Sequence, residues 1–190
     1  MKLARANPRT LLTLLPFLAT LLLASPGPPT VRIAPMNSVR PRPIEPQTQS
    51  SVVHDYLQAW QVMGTALGQN RSDLLERYFV GTAKEQLLDA IRQQRTLGIQ
   101  TTYREQSHDF RVLFYSPEGL SIQLMDTVEL DVDVQDHGKS VGTQHIRTTY
   151  LAVLTPAEST WKIRVFQSAP RHLEKCDLEP GTNLNCESSS

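Results

Sequence analysis

One stretch of alternating residues constrains the fold of this chain more than any other. Between Leu120 and Val134, apolar residues occupy every second position on either side of Asp126. A period of two is typical of a strand with one buried face. Asp126 falls on that apolar face, where a carboxylate is costly to bury without a partner. The stretch therefore predicts a long central strand and marks Asp126 as the residue that needs an explanation.

The N-terminal residues have the layout of a secretory signal peptide or a signal-anchor. Three basic residues precede an almost wholly apolar run over residues 11–24, and prolines follow it. This order predicts that residues 1–25 direct export and are then cleaved, or that residues 10–25 remain as a membrane tether. A membrane-spanning helix requires about 20 apolar residues, whereas this run is shorter and contains Pro16. Both features favour cleavage of the segment over its retention as an anchor. We therefore predict an extracytoplasmic location, whether periplasmic, secreted or membrane-anchored.

A proline-rich segment separates this N-terminus from the predicted domain. Residues 26–50 lack hydrophobic periodicity, which is typical of an extended linker.

The net charge of the chain differs between its N-terminal part and the predicted domain. Residues 1–46 hold six basic residues and one acidic residue, a net charge of +5, so the remainder of a chain of net charge +0 carries −5. Because an acidic domain does not offer the basic surface that neutralises nucleic-acid phosphates, we predict no nucleic-acid partner.

Helices are predicted to come first in the domain of residues 51–170. They cover residues 51–68, 72–78 and 82–97. The first has apolar residues at helical spacing and Ser50 or Ser51 as its N-cap. Thr82 and Glu85 match a capping box at the start of the third, and Gly98 is a typical helix stop.

Strands are predicted for the rest of the domain. They cover residues 99–106, 109–115, 120–134, 144–154 and 161–167. Short turn signals separate the last four, which predicts an antiparallel meander. Phe110, Val112 and Phe114 should line one face of their strand, and His108, at the start of that strand, should be exposed. A sheet that is apolar on one side should fold over the preceding helices, giving an α+β domain.

The last segment, residues 171–190, contains both cysteines of the chain. Cys176 and Cys186 flank a Pro-Gly turn. In an exported chain two such cysteines predict a disulfide-closed loop, worth roughly 2.5–3 kcal/mol by loop closure. Two cysteines without clustered histidines do not form a typical metal site, so we predict no metal and no cofactor.

Three stretches carry a resemblance to a known superfamily. They are Tyr56–Trp60, Leu74–Phe79 and the Trp-Lys-Ile-Arg-Val strand within Thr160–Val165. In this order they resemble the nuclear-transport-factor-two-like superfamily, and most of all the C-terminal domain of cyanobacterial and plastid division proteins. The resemblance implies a cone-shaped, cystatin-like fold in which helices pack in the concavity of a strongly bent antiparallel sheet. It also implies a pocket between the first helix and the sheet.

The superfamily contains enzymes such as ketosteroid isomerases and dehydratases as well as members without catalysis. Its enzymes use an inward carboxylate or histidine to move a proton next to a carbonyl. The resemblance therefore makes Asp126 a candidate general base, with Trp60, Tyr103 and Tyr150 lining an apolar pocket and a tyrosine hydroxyl as donor.

A different interpretation of Asp126 rests on the length of its strand. A β-bulge would shift the alternation, so that the carboxylate reaches solvent or pairs with Arg104, Arg111 or Arg147 on a neighbouring strand.

Two classes of function follow from these observations. The first is a non-enzymatic, exported or membrane-tethered binding domain for a protein partner or a small apolar ligand. It is also compatible with a homodimer formed through the sheet face. The second is a cofactor-free isomerase, cyclase or dehydratase with Asp126 as general base. The sequence has no nucleophile elbow, phosphate-binding glycine loop or zinc-protease motif, so it does not predict an enzyme of the Ser-His-Asp or Cys-His class.

Overall fold

The computed structural model describes residues 27–36 and 39–169. The described elements are β1 (Thr30–Ile33), α1 (Pro46–Gly68), a 3-10 helix (Ser72–Arg77), α2 (Gly81–Leu97), β2 (Ile99–Tyr115), β3 (Ile122–Asp136), β4 (Lys139–Pro156) and β5 (Trp161–Ser168). The predicted export segment and the predicted disulfide between Cys176 and Cys186 lie outside the described residues. Within them, no helix combines the length and apolar character that crossing a bilayer requires.

The five strands form one curled sheet in the order β1-β2-β3-β4-β5. Strands β2 to β5 pair antiparallel with their sequence neighbours, which confirms the predicted meander. The helices pack on its concave face, as predicted. Trp60 and Tyr56 of α1, Phe79, and Phe110 of β2 are among the largest fully buried side chains at this junction.

Strand β3 keeps its alternation from Ile122 to Leu130, whereas Leu120, predicted on the apolar face, precedes the strand and is 61% exposed. Ile122, Leu124, Asp126, Val128 and Leu130 are all buried, with partly exposed residues between them. Its pairing with β4 is regular from Ile122 to Val134. The interpretation that a bulge turns Asp126 away from the core is therefore wrong.

Bulges do occur on β2, the strand that pairs with β3. The register shifts between Glu105 and Ser107 and again between Val112 and Phe114. Each adds an unpaired residue to β2, which bends the strand and helps the sheet curl. The second shift turns Phe114 outward and Tyr115 inward, so the prediction that Phe114 shares a face with Phe110 and Val112 is wrong. The predicted strands over 99–106 and 109–115 are one continuous strand.

The segment assigned to an extended linker contacts the sheet. Within it, β1 pairs in parallel with residues 107–110 of β2, and Met36 and Val39 are buried. The guanidinium of Arg42 lies 5.1 Å from the centroid of the Tyr115 ring. Strand β1 was not predicted, because the surrounding prolines obscured a short β-branched run.

The helix starts also differ from prediction. Helix α1 begins at Pro46, whose fixed φ suits the first turn, and the Ser50 hydroxyl donates to the Pro46 carbonyl inside the helix. Helix α2 begins at Gly81 without a side-chain cap. The Thr82 hydroxyl donates to the Arg164 carbonyl on β5, so the predicted capping box does not form. The left-handed conformation of Gly98, φ 70°, confirms the predicted stop.

Candidate functional site

A buried chain of hydrogen bonds surrounds Asp126. The Nδ1 of His108 lies 2.8 Å from Asp126 Oδ2, and the Tyr56 hydroxyl donates to the same oxygen over 3.2 Å. On the other side of the imidazole ring, Nε2 lies 3.2 Å from Glu105 Oε2. The side chains of His108 and Asp126 have no exposed surface. Two carboxylates thus flank one imidazole in the protein core.

Strand pairing explains how these groups meet. Asp126 of β3 pairs with Phe110 of β2, and His108 pairs with Val128, two positions further along β3. His108 and Asp126 are therefore diagonal neighbours on the concave face, at a spacing that long side chains can bridge. Tyr56 reaches them from α1, across the layer between helix and sheet.

The first β2 bulge adds Glu105 to this cluster. Residues 105 and 108 are three positions apart and would face opposite sides of a regular strand. Because the register shifts between Glu105 and Ser107, Glu105 pairs with the inward-facing Leu130 and lies on the same side as His108. The Glu105 side chain is 11% exposed, so Glu105 is the member of this hydrogen-bonded cluster that is nearest to solvent.

The electrostatics favour a charged imidazole. Burial by itself lowers the pKa of His108, but hydrogen bonds to Asp126 and Glu105 and the charges of both carboxylates outweigh it and raise the pKa to about 9. Burial raises the pKa of Asp126 above its ordinary value, and the bonds from His108 and Tyr56 oppose that rise. Burial and the Asp126 charge hold the pKa of Tyr56 well above its usual value, so its hydroxyl remains a donor.

Two buried polar atoms of the described residues have no hydrogen-bond partner. They are Asp126 Oδ1 and the indole Nε1 of Trp60. One is an acceptor and the other a donor, and both belong to the same core region, since the Trp60 ring lies 5.4 Å from the His108 ring. Unpaired buried polar atoms are rare in folded proteins, and an ordered water is their usual partner.

A separate pocket of about 330 Å³ lies at the other side of Trp60. It is formed by α1, α2 and the concave face of the sheet. Six of its lining residues are Trp60, Met63, Leu87, Tyr103, Tyr150 and Phe166. None of the lining residues, all of which lie in the described part of the chain, is Asp, Glu, Lys, Arg or His. The pocket is therefore formally neutral and mainly apolar, with Gln93, Gln94 and Thr101 among its polar lining residues.

Aromatic side chains form one end of this pocket. The Tyr150 and Phe166 rings are stacked, with centroids 4.6 Å apart, and the Trp60 ring is nearly perpendicular to both, with centroid distances of 5.4 Å and 5.5 Å. Such contacts hold the rings in fixed orientations. Phe166 was not identified from the sequence, because a register shift between Val153 and Leu154 changes which β5 residues face inward.

The four residues predicted to bind a ligand do not share one surface. Trp60, Tyr103 and Tyr150 line the pocket, whereas Asp126 does not. Asp126 is nevertheless next to the pocket, because it pairs with Tyr150 across β3 and β4. The indole of Trp60 separates the pocket from the His108 ring, which it contacts edge-on.

None of the three arginines predicted as partners of Asp126 bonds to it: two pair with other carboxylates, and Arg111 is exposed and forms no ion pair among the described residues. Arg104 pairs with Asp131, and Arg147 pairs with Glu129 at 2.9 Å, both on the outer face of the sheet. His108 provides the counter-charge, and the prediction that it is exposed is wrong, since it is 1% exposed. The alternation of β2 indicated this position, because His108, Phe110 and Val112 occupy every second residue and therefore share one face.

No protein-family model and no curated protein sequence matches the chain, but solved structures do. The intermembrane-space region of the chloroplast protein ARC6 superposes with a TM-score of 0.54 and 18% identity, covering 67% of this chain and 98% of that one. A protein described as a scytalone dehydratase from Novosphingobium aromaticivorans gives a TM-score of 0.45 and 12% identity, with 66% and 89% covered. LinA gives 0.45 and 11%, with 65% and 86% covered.

At these identities the similarity concerns the fold. The match to the ARC6 region spans nearly all of that region, and it agrees with the helices packed in the concavity of a curled meander. The predicted resemblance is confirmed at this level: the chain has the cone-shaped α+β fold of the nuclear-transport-factor-two-like superfamily.

Proposed function

We propose that this domain binds a small, neutral, apolar molecule in the pocket between α1, α2 and the sheet. The observation that carries the proposal is the composition of the pocket wall, which is mainly apolar and aromatic and has no charged side chain. Its volume of about 330 Å³ is in the lower part of the range found for small-molecule sites. A charged ligand would lose its hydration there without gaining a counter-ion.

Binding of a neutral fluorescent probe tests this proposal. N-phenyl-1-naphthylamine emits strongly in apolar sites and should bind the full chain with saturable fluorescence. Ala90 lines the pocket from α2, so Ala90→Phe should fill it and abolish the signal. Gln86→Phe is the matched control, because Gln86 is an exposed residue of the same helix. Equal binding by the parent and both variants would refute binding in this pocket.

A second candidate function is proton abstraction by Asp126. It is supported by the buried Oδ1 atom without a partner and by the raised pKa of the carboxyl, which burial causes. It is opposed by the position of Asp126 behind the pocket wall and by its bond to His108. A carboxylate already paired to a cation is a weaker base.

Deuterium exchange distinguishes catalysis from binding alone. A ketone with α-hydrogens, 2-acetylnaphthalene, would be incubated in D2O with the protein and followed by NMR. Binding without catalysis predicts that the methyl group exchanges no faster than in buffer. Accelerated exchange that is lost in Asp126→Asn would replace the binding proposal with the catalytic one.

We further propose that the domain works outside the cytoplasm. The support is the basic and apolar N-terminal pattern of residues 1–25, together with the intermembrane-space origin of the ARC6 region. The mass of the protein recovered from its native envelope fraction tests this proposal. A shortened chain, or a full-length chain in the membrane, is expected; a full-length chain in the cytosol would contradict export.

The alternative of a protein partner or a homodimer concerns the outer face of the sheet. That face carries the pairs Arg104–Asp131 and Arg147–Glu129. Charged residues are depleted in the cores of protein interfaces. The ion pairs on the outer face therefore argue against a stable dimer formed through it. Sedimentation of the full chain tests this, with a monomer expected at micromolar concentration.

A further inference from the structure

The pocket reaches the protein surface beside the end of α2. Of its described lining residues, Gln93 and Leu97 are exposed, and the others are buried or half-buried. Leu97 is the last residue of α2, and its side chain is 63% exposed. The pocket therefore opens next to an exposed apolar side chain.

The turn between β3 and β4 lies beside this opening. The His137 amide donates to the Gly98 carbonyl over 3.1 Å, which connects the turn to the end of α2. Val141 follows the turn on β4, where a register shift leaves it unpaired, and it is 64% exposed. Leu97, Gly98 and residues 137–141 together form one surface, which we call the mouth rim.

Exposed apolar side chains are concentrated at this rim. Among the described residues, three large hydrophobic side chains are more than half exposed, namely Leu97, Leu120 and Val141. The first and the last belong to the mouth rim. Leu120 precedes β3 and lies at the opposite end of the sheet from the β3–β4 turn. A single exposed hydrophobic residue is ordinary, whereas two beside the opening of an apolar pocket indicate an interaction surface.

Most charges near the mouth rim are compensated. His137 Nδ1 lies 2.6 Å from Asp136 Oδ1, and Arg92 pairs with Asp89. Lys139 is exposed and has no partner in the described part of the chain. The rim therefore offers an apolar contact with little net charge, which suits a surface of neutral lipids.

The chain that precedes the domain leads toward the same end. Strand β1 runs parallel to β2, and its first residue, Thr30, pairs with Ser107. Residues before Thr30 are thus directed toward Ile99, where β2 begins beside the rim. The predicted tether ends at residue 25, and the chain from there to Thr30 spans at most about 18 Å. Ile99 is farther from Ser107, about 27 Å along the strand. A retained tether would therefore bring the rim to the membrane.

We propose that the mouth rim docks on a bilayer of neutral lipids, with Leu97 and Val141 in contact with the acyl region. The inference rests on the proposed binding function and on retention of residues 10–25 as a tether, and it adds the source of the ligand. An apolar molecule dissolved in the bilayer then enters the pocket without crossing water. Two apolar side chains alone would bind weakly, but a tether gives them a high effective concentration at the membrane.

Quenching by brominated lipids tests this contact on the full chain in phosphatidylcholine vesicles. Cys176→Ser and Cys186→Ser remove both native thiols, and Leu97→Cys, Val141→Cys or Leu120→Cys then introduces one site for a bimane label. Labels at positions 97 and 141 should lose emission when the acyl chains carry bromine. The label at position 120 should keep its emission, and it is the matched control because Leu120 is 61% exposed.

A charge at the rim should abolish the contact without closing the pocket. Val141 is not among the described lining residues. Val141→Glu should therefore prevent quenching of the label at position 97, while binding of N-phenyl-1-naphthylamine in vesicle-free buffer stays unchanged. Leu120→Glu is the control and should change neither measurement. Circular dichroism verifies that each variant is folded.

The outcomes separate this inference from the proposed function. Unquenched labels at positions 97 and 141, or equal quenching at all three positions, would refute docking on lipid. A second copy or another protein would then be the candidate occupant of the rim, and the pocket would stand if the probe still binds in buffer. Quenching at positions 97 and 141 alone, without probe binding in buffer, would overturn the proposed function and leave the docking surface.

Discussion

The free energy of unfolding should fall as pH rises through the range in which His108 loses its proton. The pKa of His108 is about 9 in the folded protein, against 6.5 for an ordinary histidine. A raised pKa means that the folded state binds the proton more tightly than the unfolded state. The stabilisation is therefore complete below pH 6.5 and is lost between pH 6.5 and 9. At 1.36 kcal/mol per unit, it amounts to about 3 kcal/mol.

Urea unfolding at pH 6 and pH 9.5 measures this effect, and variants isolate it. The parent should lose about 3 kcal/mol between the two values. His108→Gln cannot titrate and should lose much less, although it starts from a lower stability because Asp126 loses its cation. His54→Gln is the control, since His54 is an exposed residue of α1, and it should behave like the parent.

An NMR titration of the histidine ring protons gives a second measurement that does not require the variant to fold. The His108 signal should titrate near pH 9. A signal that titrates at 6.5 or below, together with pH-independent stability, would show that burial outweighs the two carboxylates. His108 would then be neutral in the protein core, contrary to the prediction.

Three further changes should alter stability by amounts that chemical denaturation can resolve. Asp126→Asn removes the buried partner of His108 and should lower the free energy of unfolding by about 3 kcal/mol at pH 6. The control Asp73→Asn breaks an exposed ion pair and should lower it by under about 1 kcal/mol. Equal losses would contradict a structural role for the His108–Asp126 pair. Gly98→Ala should cost at least about 1–2 kcal/mol, because φ is 70° and the new Cβ would lie 2.9 Å from the His137 ring. Gly142→Ala, with open space around it, should be nearly neutral. Met36→Ala should cost about 2–3 kcal/mol, since Met36 is 5% exposed; a neutral result would mean that residues 27–36 do not contribute to the fold.

The fold class was predictable because hydrophobic periodicity separates the helices from the strands and short turn signals predict antiparallel neighbours. The alternation around Asp126 also identified the correct residue as the anomaly of the core. Its partner was missed for a local reason. The prediction of two strands places a break at Ser107 and His108, although His108 continues the alternation of Phe110 and Val112. A polar residue in an apolar register is a weak signal when a strand boundary is assumed nearby.

The pocket residues were predicted in part. Trp60 lies on the apolar face that the spacing of α1 predicts, whereas the pocket role of Tyr103 and Tyr150 came from the resemblance to the superfamily. The position of Asp126 behind Trp60 could not be predicted, since periodicity gives the face of a residue and not its depth. Phe166 was lost to a register shift on the β4–β5 pair, which no composition rule indicates.

The bulge near Gln106 connects these successes and failures. Regular alternation would place Glu105 and His108 on opposite faces, leaving the imidazole with a single carboxylate. The extra residue turns both inward, and the second carboxylate helps to keep His108 charged in spite of its burial. The same bulge contributes to the bend that lets the sheet enclose α1. One inserted residue thus shapes the concave face and gives the buried imidazole its second carboxylate partner. A local irregularity of this kind depends on the pairing of two strands, so the amino-acid pattern of β2 alone cannot reveal it.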